Sequence, residues 1–295
     1  MKRLTSNQIE RITAATEEIL EKTGVQVMHD GIQGQLQKAG AVVEPASGIV
    51  KIPRPLLREL IEQVPKEYTI GSPGGKVHTL GGGARHMWGI VTDPWIVDYD
   101  TEDLRRPCLT DIRRHTQIAQ QLDPVVTISL MDYPVTDYPG PDSNLRAMEE
   151  HLVNHDKHLT AMPASVASFE RWLTICRLLL RGGDVKGSNI MTVGVPILSP
   201  MRITGANVEL LLRACENRCP IVPTICPMAG TTSPYSLAGT LLATNAETVF
   251  LMALTQIVRP GNPYLFSIGP SRTDMRNGED MYYTMDKVLW KIAGV

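Results

Sequence analysis

A run of small and hydroxyl-bearing residues interrupts an apolar stretch late in the chain. The sequence PMAGTTSPYSLAGTLLATNAE, which starts at Pro227, contains one glycine followed by three hydroxyl side chains: Gly230, Thr231, Thr232 and Ser233. Small residues and hydroxyls at the end of a strand let a ligand approach the backbone and form hydrogen bonds there. The same residues suit a strand-to-helix turn, with Thr232 or Ser233 as helix cap and Pro234 in the first turn. The sequence allows both interpretations together.

Three histidines have a spacing that a metal ion could use. His151, His155 and His158 form H-x-x-x-H-x-x-H, which would place them on one face of a helix. However, Asp156-Lys157 is expected to end that helix, so that His158 begins the next strand. We therefore interpret His158 as a structural residue and predict no metal ion at this position.

The cysteines give a similar result. Cys215 and Cys219 fall in a predicted helix, whereas Cys226 falls in the strand that follows. Ligands on two such elements make a shared zinc site improbable. Buried cysteines that behave as small apolar side chains are the better explanation. Five cysteines, an odd number without disulfide spacing, favour a reducing cytoplasm.

Composition excludes several classes of partner. The 295-residue chain has 29 basic and 31 acidic residues, a formal charge of −2 and no basic patch, which argues against nucleic acid. The apolar segments are broken by Pro, Asn or charged residues, so we expect none of membrane-spanning length. The N-terminal sequence MKRLTSNQIERITAATEEILEKTG is charged throughout, unlike a signal peptide.

The elements that must position these residues follow a regular pattern. Three amphipathic helices are expected before residue 65, and a glycine-rich, hairpin-like region follows at 66–100. From residue 110 onward, helices alternate with short apolar strands, which predicts an α/β fold with a parallel sheet. The five expected strands are PVVTISLMD, HLTAMP, SNIMTVGVP, PIVPTICPMAG and NPYLFSIGPS. We therefore assign residues 1–109 to an N-terminal helical and hairpin region and 110–295 to a partial barrel.

Two features favour a barrel over a doubly wound sheet. No G-x-G-x-x-G follows a strand, so the dinucleotide-binding sequence is absent. Polar and glycine residues recur just after the predicted strand ends, which in a (β/α)₈ barrel meet at one mouth. About five of the eight strands would be present. The unpaired strand edges of such a barrel predict self-association.

The chain resembles the trimethylamine methyltransferase (MttB) superfamily. The resemblance runs through LTSNQIERITAATEEILEKTGVQV and VVEPASGIVKIPRPLLRELIEQVPKEYTI and is most specific in MAGTTSPYSLAGTLLATNAETVFLMALTQIVRPGNPYLFSIGPSRTDMRNG. It implies a TIM barrel that moves a methyl group from a tertiary or quaternary amine to the cobalt of a separate corrinoid protein. Archaeal members carry a pyrrolysine in a segment beyond residue 295. The resemblance therefore implies a non-pyrrolysine, C-terminally truncated member.

A quaternary ammonium has no N–H group, so its recognition requires aromatic faces and carboxylates. Aromatic residues cluster around the first predicted barrel strand: Trp88, Trp95, Tyr99, Tyr133 and Tyr138. They could form an aromatic cage, or they could simply pack in the core or on the surface. Tyr133 is the best placed, because it follows the strand VVTISLMD. Trp88 and Tyr133 are predicted to bind the substrate.

Small residues at the barrel mouth would allow a corrin ring to approach. Thr231 and Thr232 are predicted to face the ligand. Ser267, Ser271 and Asp274, in SIGPSRTDM, could contact the substrate, with the Asp274 carboxylate offering charge to a cation. A solvated loop carboxylate is the alternative for Asp274. Glu247 faces either the barrel or a neighbouring side chain.

The expected activity is amine:corrinoid protein methyl transfer. The chain itself is expected to bind no cofactor and no metal, and S-adenosylmethionine is not expected. A methylated amine and a corrinoid protein are the expected partners, and a homo-oligomer is a further expectation. Two alternatives are a metal-dependent TIM-barrel hydrolase or lyase, and a non-catalytic fragment that binds amines or a corrinoid protein.

Overall fold

The computed structural model describes residues 4–131 and 135–294. The helices in this described part are α1 (Ser6–Lys22), α2 (Asp30–Lys38), α3 (Arg54–Glu62), α4 (Leu109–Gln121), α5 (Ser143–Leu152), α6 (Val166–Leu179), α7 (Gly205–Glu216), α8 (Leu237–Val258) and α9 (Met285–Ala293). The three expected N-terminal helices are present. Helix α1 begins at Ser6 because Thr5 and Gln8 form a reciprocal capping box.

The strands are short and numerous. In chain order they are β1 (Val25–Val27), β2 (Val42–Glu44), β3 (Ile49–Lys51), β4 (Glu67–Gly71), β5 (Val77–Gly81), β6 (Met87–Ile90), β7 (Ile96–Val97), β8 (Leu104–Arg105), β9 (Val125–Met131), β10 (His158–Met162), β11 (Met191–Pro196), β12 (Arg202–Ile203), β13 (Ile221–Thr224), β14 (Met228–Ala229), β15 (Ser271–Thr273) and β16 (Asp280–Met281). Helices and parallel strands together confirm the α/β class.

The chain divides into two compact units. Unit 1 comprises Met1–Pro65, Val195–Glu216 and Ile221–Val295, and unit 2 comprises Lys66–Gly194 and Asn217–Pro220. The predicted division into 1–109 and 110–295 falls at a different place and stays a prediction.

Unit 1 is built around α8. Helices α1 and α3 pack on α8, and the Asn245 amide donates to Thr16 Oγ1 at 2.7 Å. The two N-terminal helices are also joined by a bidentate ion pair between Glu17 and Arg58, at 2.7 and 2.8 Å. A four-stranded sheet in the order β12-β1-β3-β2 and a three-stranded sheet in the order β14-β15-β16 complete this unit.

Helix α8 corrects one expectation. Its most apolar 18-residue window has a mean hydropathy of 1.4, so by length and composition this one helix of the described residues could cross a membrane. The expectation that every apolar segment is too short is therefore wrong. Asn245 and Glu247 do not break the helix because each has a hydrogen-bond partner within unit 1. In the structure, 61% of that window is buried, as in the core helix of a folded protein.

Unit 2 contains the parallel sheet that the sequence predicts. Its strands lie in the order β11-β10-β9-β6, and each pairing in this run is parallel. The first six residues of β9 are buried, as expected for a strand covered on both faces. The few polar side chains in this core bond to each other: Thr127 Oγ1 lies 2.7 Å from Thr160 Oγ1.

Two strand predictions need correction. NPYLFSIGPS forms no regular strand; Tyr264 makes only an isolated parallel bridge to Ile221, and β15 begins at Ser271. Pro263 and Pro270 lack the N–H that a ladder requires, which explains the interruption. The region expected to form hairpins does contain the antiparallel pairs β4–β5 and β7–β8, but β6 between them pairs in parallel with β9. The other four predicted strands are present as β9, β10, β11 and β13.

Candidate functional site

The side chains of unit 1 that are best suited to bind a ligand surround β14 and β15. We call this group the hydroxyl–tyrosine cluster and define it as Cys226, Thr231, Tyr235, Ser271, Arg272, Thr273, Tyr282 and Lys287. Cys226 and Thr231 follow strands β13 and β14, and Tyr282 follows β16. Tyr235 and Lys287 lie at the starts of α8 and α9, respectively. The residues of the cluster therefore come from the ends of strands and the starts of helices.

A tight turn after β14 positions Thr231. Gly230 has φ +100°. The Met228 carbonyl accepts hydrogen bonds from the N–H groups of residues 231 to 233 at 3.0 to 3.1 Å. A Cβ on Gly230 would lie 2.7 Å from Met275 Sδ and 3.1 Å from Tyr235 Cδ2. The side chains of Met275 and Tyr235, and not a ligand, therefore lie against the Gly230 backbone.

The start of α8 differs from the sequence interpretation. Ser236 is the helix cap, and its hydroxyl accepts from the Gly239 N–H at 3.1 Å. Thr232 and Ser233 are not caps; Thr232 Oγ1 instead accepts from the Met228 N–H at 2.8 Å and closes the turn. The helix begins three residues after Pro234 because Gly230 and Thr232 extend the turn.

Hydroxyl groups converge on one face of β15. Thr231 Oγ1 lies 2.9 Å from Thr273 Oγ1, and Thr231 is exposed while Thr273 is buried. Alternate residues of a strand share a face, so Ser271 lies on the same side as Thr273. Ser271 is fully buried, and its Oγ has no hydrogen-bond partner among the described residues. A buried hydroxyl without a partner costs about 1–3 kcal/mol, which marks this face as a place where a polar ligand atom would be stabilised.

Arg272 lies on the opposite face of β15. Its guanidinium pairs with Asp286 at 2.8 Å and lies 5.0 Å from the centroid of the Tyr235 ring. Asp286 is in the first turn of α9, where a negative charge is favoured by the helix dipole. This network fixes Tyr235 against β15.

Tyr282 is central to the remaining part of the cluster. The Lys287 Nζ lies 2.8 Å from the centroid of its ring, and the Tyr283 ring meets it edge-on at 5.0 Å. A hydrogen bond from Tyr282 lowers the pKa of the Cys226 thiol, as does the charge on Lys287, but desolvation is the larger effect and the pKa is raised overall. Cys226 nevertheless has an exposed surface.

The other predicted residues of unit 1 have different environments. The Asp274 carboxylate pairs with the Arg276 guanidinium at 2.6 and 3.0 Å, which lowers its pKa, so its charge is compensated within the β15–β16 hairpin. Ser267 is half-buried, and its carbonyl accepts from Thr248 Oγ1 at 3.2 Å. Glu247 is buried, and its carboxylate accepts from Ser199 Oγ and the Met201 N–H, both at 2.7 Å. Burial raises the pKa of Glu247.

The aromatic residues of unit 2 do not form one cage in the described part of the chain. Arg106 covers the Trp95 ring at 3.9 Å, Arg146 covers the Tyr138 ring at 5.3 Å, and Tyr99 is 91% exposed. Trp88 is half-buried in β6, with a buried Nε1 that lacks a partner among the described residues, and it lines an open groove with Ile118 and Leu122. Tyr133, which the sequence favours most, lies outside the described residues.

The three histidines of the H-x-x-x-H-x-x-H sequence, His151, His155 and His158, are neutral and buried. The Lys157 N–H donates to His155 Nδ1, so His155 Nε2 carries the proton and donates to His151 Nε2 at 3.1 Å. His158 Nδ1 donates to the Gly71 carbonyl, and its Nε2 accepts from Thr192 Oγ1, both at 2.8 Å. Desolvation lowers the pKa of His155 and of His158 to about 4, and that of His151 well below its ordinary value.

The structure also separates the cysteines. Cys215 and Cys219 are buried as expected, but Cys226 is exposed, so its interpretation as a buried apolar side chain is wrong. The reason is that β13 ends at Thr224 and Cys226 lies beyond the strand. No group of three or more His, Cys, Asp or Glu side chains in the described ranges has the geometry to hold a metal ion.

The structure thus brings together Thr231, Thr273 and Ser271, with Thr232 shaping the turn beside them. Sequence reasoning missed Tyr235, Tyr282 and Lys287. A signal was present in MYYTMDK, where two tyrosines precede a helix whose first turn carries a lysine, an unfavourable place for a cation. The described residues define an α/β protein that presents hydroxyl groups and a cation-covered tyrosine at strand ends.

The comparisons with known proteins identify the family. A family model described as trimethylamine methyltransferase (MTTB) matches residues 1–293, so the chain belongs to this family. Among curated relatives, trimethylamine methyltransferase MttB of Desulfitobacterium hafniense is 23% identical over 268 residues, covering 90% of this chain and 54% of its own length. A glycine betaine methyltransferase of the same species is 25% identical, covering 93% of this chain and 57% of its own length.

A further curated relative and a solved structure are also methyltransferases by name. The proline betaine:corrinoid methyltransferase of Eubacterium limosum is 23% identical, covering 94% of this chain and 58% of its own length. The chain thus spans little more than half the length of these relatives. The solved monomethylamine methyltransferase MtmB of Methanosarcina barkeri aligns with a TM-score of 0.53 at 12% identity, covering 99% of this chain and 66% of that one. This similarity concerns the fold alone.

Proposed function

We propose that this chain belongs to a corrinoid-dependent methyltransferase that takes a methyl group from a tertiary or quaternary amine. The observation that carries the proposal is the match of the family model to nearly the whole chain, residues 1–293. The names of the relatives, which cover trimethylamine, glycine betaine and proline betaine, support a methylated amine as the substrate class. The likeness to MtmB supports the finer proposal of a TIM-type barrel, of which this chain supplies part.

The hydroxyl–tyrosine cluster is the substrate site in this proposal. An alkylated ammonium is held by aromatic faces, and the half-buried Tyr282 ring offers one. Thr231 is exposed, so its hydroxyl can meet a polar group of the substrate, such as the carboxylate of a betaine, whereas the Ser271 hydroxyl is fully buried. The sites proposed from sequence at Thr232, Ser267 and Asp274 lie beside this cluster and stay predictions, as do Trp88 and Tyr133.

Methyl transfer requires mainly that the protein positions the amine and removes water from it. The carbon–nitrogen bond of a quaternary or protonated tertiary ammonium breaks with its electron pair going to nitrogen, which leaves as a neutral amine, and the methyl group passes to Co(I) on a separate corrinoid protein. Thr231 and Tyr235 are exposed, so a partner protein can reach this surface. The chain's own residues therefore bind and orient the amine, while the partner supplies the acceptor metal.

Methylation of free Co(I) cobalamin, followed by its absorbance change, tests the proposal. The panel consists of trimethylamine, glycine betaine, proline betaine and carnitine, with the Tyr282→Leu variant as the site control and Tyr138→Leu as the matched tyrosine control. We expect turnover with one amine, reduced at least about tenfold in Tyr282→Leu and unchanged within twofold in Tyr138→Leu. Folded protein that methylates nothing across the panel, with or without an added corrinoid protein, would refute the activity.

The cytoplasmic location and the homo-oligomer remain predictions. The first rests on the unpaired cysteines of the sequence, and the second on the expected strand edges. The predicted lack of nucleic acid and membrane partners likewise stays a prediction from composition.

A further inference from the structure

Lys287 makes an unusual contact with Tyr282. Its ammonium group lies 2.8 Å from the ring centroid, and only 8% of the residue is exposed. Tyr282 itself is half-buried, and the edge of the Tyr283 ring borders it at 5.0 Å. The protein thus places one of its own cations directly on the aromatic face that is best enclosed in the hydroxyl–tyrosine cluster.

The position of Lys287 along its helix makes this contact informative. Lys287 is the third residue of α9, and the N-terminal turn of a helix carries partial positive charge. A lysine there is disfavoured by the helix, whereas its neighbour Asp286 is favoured and pairs with Arg272. The Tyr282 ring stabilises the Lys287 charge at a place where the local backbone does not.

We propose that Lys287 holds, in the unliganded protein, the cation position on Tyr282 that a methylated ammonium takes when it binds. Lys287 is therefore a specificity-determining residue: a ligand must displace its ammonium from the ring. This inference rests on the proposed function for its choice of ligand class, but it concerns binding and not the methyl transfer itself.

Replacement of the Lys287 ammonium on the Tyr282 ring by a ligand favours alkylated cations over simple amines. A primary ammonium is compact and strongly hydrated, and its lysine stem has four flexible carbons, so Lys287 can leave the ring and regain water. A quaternary ammonium forms no N–H hydrogen bonds with water and interacts best with aromatic faces. Ammonia and primary amines resemble the lysine head group and gain nothing by replacing it.

Tetramethylammonium chloride is the probe, and its binding to the full chain is measured by calorimetry and by shifts of the tyrosine ring resonances. Lys287→Met removes the competing cation but keeps the apolar stem. We expect its Kd for tetramethylammonium to be at least about tenfold lower than that of the unmodified protein. Lys291→Met is the matched control, because it removes an exposed lysine one turn further along α9; we expect a change within twofold.

Two further variants make the result decisive. Tyr282→Leu in the Lys287→Met background should lose the gain in affinity, because the ring is then absent. Lys287→Gln replaces Lys287→Met if the methionine variant does not fold, and the same tenfold gain is expected. A folded variant lacking Lys287 that binds tetramethylammonium no tighter than the unmodified protein would overturn the inference.

The outcome is separate from that of the cobalamin assay. If lysine removal tightens binding and no amine is demethylated, the inference stands and the proposed activity fails. If an amine is demethylated and lysine removal leaves the Kd unchanged, the activity stands and the inference is wrong.

Discussion

The two units treat their aromatic rings differently. In unit 2, arginines cover Trp95 and Tyr138, and each arginine has a second partner: Arg106 donates to the Pro94 carbonyl at 2.9 Å, and Arg146 pairs with Glu149. In unit 1, Arg272 covers Tyr235 and pairs with Asp286 in the same way, but a lysine covers Tyr282 at 2.8 Å. A planar guanidinium stacked on a ring and fixed by another group closes that ring to ligands. An aromatic residue therefore indicates a cation site only when the group that covers it can leave.

The units also differ in the ionisable groups that they bury. Unit 2 buries three histidines as neutral groups, whereas unit 1 buries the Glu247 carboxyl group. Burial lowers the pKa of the histidines and raises that of Glu247. Both shifts favour the neutral form, but they have opposite consequences when the pH falls.

The largest effect that we predict is a selective loss of stability of unit 2 in acid. His155 and His158 have a pKa of about 4 in the folded state against 6.5 when exposed, which corresponds to roughly 3 kcal/mol each. Their neutral folded form is fully favoured above about pH 6.5, and its advantage is lost as the pH falls from there to about 4. Hydrogen exchange should show faster opening of residues 143–162 across this window.

The Glu247 region provides the internal control for that measurement. A carboxyl group with a raised folded pKa binds its proton more tightly when folded, so its contribution becomes more favourable as the pH falls towards 4.5. Residues around the middle of α8 should keep their protection where residues 143–162 lose it. The variant His155→Gln should make the acid effect smaller. Equal loss of protection in both regions would contradict the comparison.

An intermediate effect is expected for Gly230→Ala. The positive φ and the 2.7 Å approach to Met275 Sδ should together cost about 1–3 kcal/mol of unfolding free energy. Denaturant melts would measure this loss. Met275→Ala in the same chain should recover only part of it, because the backbone strain remains. If Gly230→Ala also displaces Tyr235, the Arg272 contact that distinguishes this ring from Tyr282 would weaken.

The smallest predicted effect is that of Arg146→Met. This substitution uncovers Tyr138, which is 38% exposed and lies at the surface of unit 2. We expect tetramethylammonium binding to stay within twofold of the unmodified protein, because a single solvated ring contributes little to cation binding. Saturable binding at Tyr138, seen as shifts of its ring resonances, would break the distinction between the two units.

Periodicity predicted the fold better than it predicted the site. The strands β9, β10 and β11 follow from apolar runs between helices, since burial of a parallel strand on both faces leaves a clear pattern. Strand β6, in MWGI, was missed because its glycine and flanking turns hide that pattern. Its partner β9 lies almost forty residues away, and pairing over such a distance is set by tertiary contacts.

The site was predicted in part. The turn at Gly230 and the hydroxyl of Thr231 followed from residue type, since only small groups suit a tight connection between strand and helix. Tyr282 and Lys287 were missed because their contact depends on where α9 begins, and helix ends are hard to place from sequence. The arginines over Trp95 and Tyr138 were missed because their contacts with these rings form only in the folded chain. In the sequence, each ring alone resembles a ligand-binding surface.

The assembly of unit 1 from separate stretches has a consequence for how the chain folds. Helices α1 and α3 pack on α8, so these contacts of the N-terminal residues form only after the chain has been synthesised beyond residue 237. Contacts over such sequence separations slow folding, and the apolar faces of the N-terminal helices stay uncovered meanwhile. Unit 2, nearly continuous in sequence, can fold while unit 1 waits. In the growing chain, the faces of α1 and α3 that contact α8 are therefore the last part of the N-terminal segment to be covered.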